Sequence, residues 1–376
     1  MAARRPRPIK RSPARSASTP DELASRAGRL RLWLCAGAIV LLGALAYWNS
    51  LNGAFFLDDQ TSITENPDIR RLWSLDILRS ASGESPVLGR PLVTLSFAIN
   101  YAIGGLNTAG YHAGNIAIHI LCALVMFGLI RRIQHSVVFA FACASLWMLH
   151  PLNTEALDYL SQRTELMMGL FYLLTIYASV RAHTATRPAP WFAAAVVSGI
   201  LGTASKQSMA TVPVAVVLAD RVFFFNSLSE GFRRRWRFYL ALAAASWVVL
   251  AVTVLVSPRA HSVGLSSGVD PWTYLLNQSL MITRYLALTI WPRGLVAIYG
   301  FARPLGLLDV LPQFLLIATL FALTIAALRY RPQLGFLGAW FFLTLGVTSS
   351  VVPIATETGA ERRMYLPLTA LVVLAV

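Results

Sequence analysis

Long apolar runs separated by short polar segments fill the chain from residue 30 to its end. That pattern predicts membrane helices joined by loops. Residues 30–47 form the first run, and with no small-residue cleavage site before the next polar segment they read as a retained first helix. Ahead of it, residues 1–29 hold Arg4, Arg5, Arg7, Lys10, Arg11, Arg15, Arg26 and Arg29 among Pro, Ser and Ala, so a disordered, basic cytoplasmic tail is expected. The chain then leaves the cytoplasm, and residues 49–115 become a first outside loop. Within it, residues 91–103 are apolar but too short to span, and are expected to lie in the interface or against the bundle.

Runs 116–130 and 137–149 cross inward and outward around Arg131-Arg132 and put a second loop, 150–165, outside. Runs 166–180, 191–204, 209–225 and 238–256 continue the alternation, with Ser205-Lys206-Gln207-Ser208 as an outside turn and Arg233, Arg234, Arg235 and Arg237 inside. Residues 257–306 break this rhythm. If 274–290 crossed, Arg329 and Arg331 would fall outside and Arg284 would sit in lipid, so an outside, re-entrant or interfacial segment is expected instead. Runs 307–328 and 334–347 flank an inside turn, and residues 350–367 return outside as the last loop. The apolar run that follows reaches Val376 too soon to cross, which reads as a fragment or a shortened relative. The expected class is an all-α polytopic membrane protein: a bundle of about 9–11 transmembrane helices with interfacial helices in the outside loops.

Composition supports that class. With 56% hydrophobic and 13% charged residues, a chain of 376 residues lacks the polar surface of a soluble protein. A net charge of +15 would suggest nucleic acid in a soluble chain, but here the cations cluster between apolar runs. They read as topology signals and contacts to anionic lipid, and no nucleic-acid partner is expected. Cys35, Cys122 and Cys143 fall within apolar runs, lack metal-ligand spacing and read as packing residues.

Four polar clusters are expected to share the outside face: Asp58 with Asp59; His150, Glu155, Asp158 and Arg163; Lys206; and Glu361 with Arg362, Arg363 and Tyr365. A carboxylate among cations at the mouth of a bundle suits a reaction in which a hydroxyl is deprotonated and a phosphate departs. The aspartate accepts the proton, and Arg or Lys stabilises the leaving charge. Each cluster also has a plainer reading. An Asp-Asp pair also occurs as a solvated turn or cap, His150-Pro151 also ends a helix, Lys206 also serves as a snorkelling anchor, and Glu361-Arg362 also forms a local ion pair. A metal site is disfavoured, because His150, Glu155 and Asp158 are loosely spaced with no second His nearby.

The order of several short motifs adds to this. The first loop reads Asn52-Gly53, Phe55-Phe56, Asp58-Asp59 and then Glu65 to Arg70. Downstream come Arg90-Pro91-Leu92, Asn100-Tyr101, Gly104 to Asn107, and Gly110-Tyr111-His112. His150 to Ala156 with Arg163, Ser205-Lys206-Gln207, Trp291-Pro292 with Tyr299, and Ala360-Glu361-Arg362 through Tyr365-Leu366-Pro367 follow. Over roughly residues 50 to 367 this series resembles the membrane half of the TMTC family, the transmembrane and TPR-repeat-containing protein O-mannosyltransferases, and its bacterial relatives. Gln207 stands where the family has Glu.

The resemblance implies a class C (GT-C) glycosyltransferase, with residues 30–376 as its transmembrane domain and an active site on the periplasmic or lumenal face. It implies transfer of mannose or another hexose from a polyprenyl phosphate to a hydroxyl of a protein or glycan. The base it implies is an acidic residue of the first outside loop, carried here to Asp58 or Asp59. Lys206, Arg163, Arg362 and Arg363 become donor-phosphate contacts, with Arg90, His112, His150, Glu155, Glu361 and Tyr365 in support. A lipid phosphate is a good leaving group, so no cofactor or metal is expected to be required. The family's TPR repeats are not in the sequence, which with the Arg-rich tail suggests a bacterial inner membrane rather than the endoplasmic reticulum. Two rivals make different predictions. An oligosaccharide ligase would prefer lipid-diphosphate donors, and a lipid flippase or transporter would keep working without either aspartate.

Overall fold

The computed structural model describes residues 20–72, 85–256, 264, 268–350 and 352–376, and the helix is the regular element throughout them. Residues 1–19 of the expected tail, 73–84 of the first loop, 257–263 and 265–267 of the expected outside segment, and 351 of the last loop lie outside the described residues. Helix α1 (Pro20–Ala46) begins inside the segment expected to be disordered. Its first residue is a proline, whose missing N–H is one that no helix start uses.

Short polar caps set the boundaries of the next elements. Helix α2 (Pro91–Gly104) again opens on a proline and stops at Gly105, which takes φ 60°. Asn107 Oδ1 accepts the Ala109 N–H at 3.1 Å and starts α3 (Thr108–Gln134). His135, left-handed at φ 55°, ends α3, and Ser136 then caps α4 (Val137–Met148) by accepting the Phe139 N–H. Beyond α4 lie the short α5 (Thr154–Asp158), α6 (Arg163–Thr184), α7 (Ala189–Thr203), α8 (Val212–Phe223) and α9 (Leu228–Val256). The series closes with α10 (Pro271–Ile290), α11 (Leu311–Tyr330), α12 (Pro332–Gly346) and α13 (Pro367–Ala375).

Among the described residues, five helical stretches are long and apolar enough to cross a bilayer: Ala27–Ala46, Thr108–Gln134, Leu160–Thr184, Leu228–Leu255 and Leu307–Tyr330. The pair Val137–Met148 and Pro151–Asp158, bent by 55°, makes a sixth if read as one broken span. The chain is therefore a multi-pass membrane protein, and its described residues hold fewer full-length spans than the expected 9–11. The difference comes from runs such as 191–204 and 209–225. They fold into α7 and α8, with 15 and 12 residues. At 1.5 Å per residue these reach only about 22 and 18 Å, short of a hydrocarbon core of about 30 Å.

Helix α10 lies across one end of the bundle. Near its start Tyr274 Oη donates to Thr348 O at 3.0 Å, in its middle Tyr285 Oη accepts the Ala360 N–H at 2.7 Å, and at its end Thr289 O bonds His150 Nε2 at 3.0 Å. All three partners belong to the loops at one end, which we call the mouth. Arg284 is exposed and donates to Gly294 O.

The main core fills the space between α3, α4, α6, α8 and α12, around Trp147, Tyr172 and Met126. Trp147 and Trp340 each donate an indole N–H to the backbone just before α13, at Tyr365 O (2.9 Å) and Leu366 O (3.0 Å). A smaller core, with Phe97, Tyr111, Val93 and Ile63, seats α2 and the first loop on α3. The α11–α12 hairpin closes on Gly335, where an added Cβ would lie 2.2 Å from Leu328 N.

Candidate active site

The run 150–165 connects nearly every element at the mouth. His150 accepts the Leu152 N–H at Nδ1, which leaves Nε2 protonated to donate to Thr289 O on α10. Glu155 accepts the backbone N–H of Arg362 at 2.8 Å and pairs with its guanidinium. Tyr159 Oη accepts the Asp58 N–H at 3.0 Å. Ser161 N–H donates to Asp59 Oδ1 at 2.7 Å. Glu165 pairs with Lys206, which stands between α7 and α8 and is 9% exposed.

The two aspartates divide sharply. Asp59 is fully buried and also accepts the Phe56 N–H at 3.0 Å. Burial pushes its carboxyl above the usual range, opposed by the N–H donors of Phe56 and Ser161. Asp58 is exposed. Leu57, just before it, takes φ 44°, a left-handed value uncommon outside glycine, at the turn that leads into the pair. Phe56 meets Tyr159 edge-on at 6.0 Å and braces the same turn.

The cations are equally distinct. Burial lowers the pKa of Lys206 and Glu165 opposes that, while Arg90 and Arg362 stand close enough to lower it further. Three basic groups therefore share one electrostatic neighbourhood. Arg362 bridges Glu155 and Glu357, the latter at 2.5 Å, and Arg363 reaches Glu357 at 3.1 Å. Burial opposes the charge on Arg362, but Glu357 and Glu155 outweigh it and raise its pKa. Glu357 is correspondingly held below its ordinary value: burial would raise it, but Arg362 and Arg363 prevail.

Other expected residues have structural partners. Arg163 is 2% exposed, and its three nitrogens donate to neutral oxygens: Asn115 Oδ1 (2.7 Å), Asn100 Oδ1 (2.6 Å) and Tyr111 O (2.8 Å) among them. It clamps α2, α3 and α6 together. Gly114 leaves room for it, since a Cβ there would lie 2.9 Å from Nη2. Arg363 is buried against Tyr274 Oη and Thr348 O. Glu361 accepts from Val296 N–H and Tyr299 Oη, anchoring the 291–306 segment. Tyr365 lies deeper, with Oη 2.8 Å from His119 Nδ1. His112 is buried beside Gly53. Among the described residues no group of three or more His, Cys, Asp and Glu side chains is arranged to hold a metal.

Sequence reasoning did not single out Tyr159, Glu165, Glu357 or His119. The first two lie inside the 150–165 run, where a polar stretch flanking a span was the available signal. Glu357 and His119 become visible only through partners distant in the chain.

The family model described as dolichyl-phosphate-mannose-protein mannosyltransferase matches residues 86–256, which include Arg90, the whole 150–165 run and Lys206. The chain is 27% identical over 288 residues to protein O-mannosyl-transferase Tmtc1 of Drosophila melanogaster, covering 69% of this chain and 33% of that protein. It is 31% identical over 195 residues to protein O-mannosyl-transferase F38B6.6 of Caenorhabditis elegans, covering 48% of this chain and 27% of that protein. Over these stretches the chain is similar to the TMTC-type protein O-mannosyl-transferases. It is also 32% identical over 173 residues to protein O-mannosyl-transferase TMTC1 of Mus musculus, covering 42% of this chain. The chain spans about a third or less of the length of these relatives. No solved structure matches it.

Proposed function

We propose that this protein is a membrane glycosyltransferase that moves a hexose, in the first instance mannose, from a polyprenyl phosphate to a hydroxyl of a protein acceptor. One observation carries the reading: a single run, 150–165, holds an exposed carboxylate through Tyr159–Asp58 and two cations through Glu155–Arg362 and Glu165–Lys206. The similarity to a dolichyl-phosphate-mannose-protein mannosyltransferase family and to protein O-mannosyl-transferases supports the sugar, the lipid phosphate and the protein acceptor.

Asp58 takes the hydroxyl proton as that oxygen attacks the anomeric carbon. The bond from that carbon to the phosphate oxygen breaks, and its electron pair leaves with the lipid monophosphate. The departing monoester is more negative than the diester donor, so Lys206, Arg362 and Arg90 favour the transition state over the bound donor. Holding donor and acceptor in line at the bilayer surface supplies much of the rest. Side-chain cations carry the leaving charge, so this chemistry does not call for a metal. Asp59, Arg163 and Arg363 keep the mouth in shape without touching substrate. The mouth faces the periplasm of a bacterial inner membrane, with the N-terminus in the cytoplasm.

The test is transfer by purified protein offered mannosyl and other hexosyl polyprenyl monophosphates, and the corresponding diphosphates, beside Asp58→Asn. Turnover of a monophosphate donor that disappears in Asp58→Asn is expected. Full turnover in a folded Asp58→Asn protein removes the base assignment. Preference for diphosphates points to a ligase, and lipid movement without sugar transfer points to a transporter.

A further inference from the structure

The end of the bundle opposite the mouth carries a second charged assembly that the transfer chemistry does not use. Helix α6 has 22 residues from Arg163 to Thr184, which separates the two ends by about 33 Å. At this far end Asp220 Oδ2 accepts from Arg235 Nη1 at 2.5 Å and Tyr239 Oη at 2.6 Å, while Oδ1 meets His183 Nε2 at 2.9 Å. Arg235 leaves the helical conformation, with φ −130° and ψ 15°, and so divides α9 into a short foot, 228–234, and the part that enters the bilayer.

Arg235 is thereby buried and neutralised by Asp220. Its neighbours Arg233, Arg234 and Arg237 remain exposed, together with Phe232 (49%) and Trp236 (51%). Between this foot and the start of α7 opens a cleft of about 720 Å³, lined by Phe192, Val196, Arg234, Trp236, Arg237 and Phe238. Arg234 also meets the half-buried Glu230 at 3.1 Å on one helix face, but its own guanidinium is 63% exposed, so the pair holds it weakly. Arg237 stands 5.5 Å over the Trp236 ring. Below the arginines the wall is apolar, and exposed Leu240, Val197 and Trp247 extend it along the helices.

Guanidinium groups above an apolar wall, flanked by interfacial aromatics, match the profile of a phospholipid. The exposed arginines outnumber the single carboxylate Glu230, so a headgroup with net negative charge fits better than one that brings its own ammonium. We propose that this cleft binds one anionic phospholipid, its phosphate on Arg234 and Arg237 and an acyl chain against Phe192 and Val196. The lipid holds the foot of α9 at the bilayer surface on the far side of the Arg235 break. This site stands apart from the proposed transfer reaction.

The test counts lipids retained by the purified full chain in native mass spectrometry, after delipidation and titration with phosphatidylglycerol or phosphatidylcholine. Wild type is expected to keep one phosphatidylglycerol in preference to phosphatidylcholine. Arg234→Gln with Arg237→Gln is expected to weaken that binding by about fivefold for each arginine removed. Arg329→Gln with Arg331→Gln, which removes equal charge from the same end away from the cleft, leaves it intact. Inorganic phosphate alone produces no competing adduct and no displacement. Equal retention by the first double variant, equal loss in the second, or displacement by inorganic phosphate overturns the proposal. Arg237→Gln alone supplies the comparison if the double variant is poorly folded.

Discussion

Asp59 and Ser161, 102 positions apart, are joined by a 2.7 Å hydrogen bond from the Ser161 N–H to Asp59 Oδ1. This bond fixes the first loop on the 150–165 run and leaves its neighbour Asp58 exposed beside Tyr159.

The two aspartates should therefore fail in different ways. Asp58→Asn is expected to keep the wild-type melting temperature and lose transfer by about 10²–10⁴-fold, the usual contribution of a general base. Asp59→Ala strips acceptors from the Phe56 and Ser161 N–H groups, at about 1–3 kcal/mol for each orphaned donor. A lowered melting temperature in detergent, with loss of activity following loss of fold, is the expected result.

Tyr159→Phe removes the oxygen that receives the Asp58 N–H while keeping the ring against Phe56. Donor KM is expected to stay near wild type and kcat to fall by about tenfold, in line with loss of one hydrogen bond of about 1 kcal/mol or slightly more. A parallel loss in both constants would mean that Tyr159 shapes the whole mouth rather than the base.

Arg163→Met tests the clamp. The variant leaves Asn115, Asn100 and Tyr111 O without their donor, and a stability loss on the order of 3 kcal/mol is expected. Arg163→Lys should recover only part of it, because an ammonium cannot reproduce the planar fork. Thermal unfolding of the two variants side by side gives the answer.

Acid should weaken the mouth through Glu357. Its pKa in the fold lies below its ordinary value of 4.5, so its stabilisation is complete above that value and is lost as pH falls through the lowered one. Glu357→Gln is expected to be less stable than wild type at neutral pH and to show a shallower loss on acidification. Asp59 has the opposite sign. Its raised pKa gives stabilisation that is present below 3.8 and declines as pH rises through the raised value. Melting temperatures across an acid-to-neutral series separate the two.

The order of the spans was legible because apolar runs must become helices where water is absent. Helix length was less so. Runs 191–204 and 209–225 look alike by hydropathy, yet they fold into α7 and α8, too short to cross alone, because Lys206 and the 207–211 turn between them are drawn into the mouth. Arg284, an expensive residue in lipid, set the 274–290 run apart from the spans, and in the structure that run is α10, with Arg284 exposed. Asp58, Lys206, Arg362 and Glu155 could all be named as candidates from the sequence, but not which of them pair. Glu155 and Arg362 stand 207 positions apart, and no periodicity encodes such a pairing. Nor could spacing tell Asp58 from Asp59. Asp59 is taken up by the Phe56 and Ser161 N–H groups while Asp58 stays exposed, and a partner 102 positions away leaves no mark in the local sequence.

The mouth carries its own counterions. Lys206 is matched by Glu165, and Arg362 by Glu155 and Glu357, so an arriving phosphate must exchange places with a carboxylate already at hydrogen-bond distance. Small soluble anions bring nothing to offset that exchange, whereas a polyprenyl donor adds the partitioning of its tail into the bilayer. Under the proposed function such a mouth would reject free phosphate and nucleotides while admitting lipid-borne ones, and millimolar inorganic phosphate is expected to leave sugar transfer unchanged.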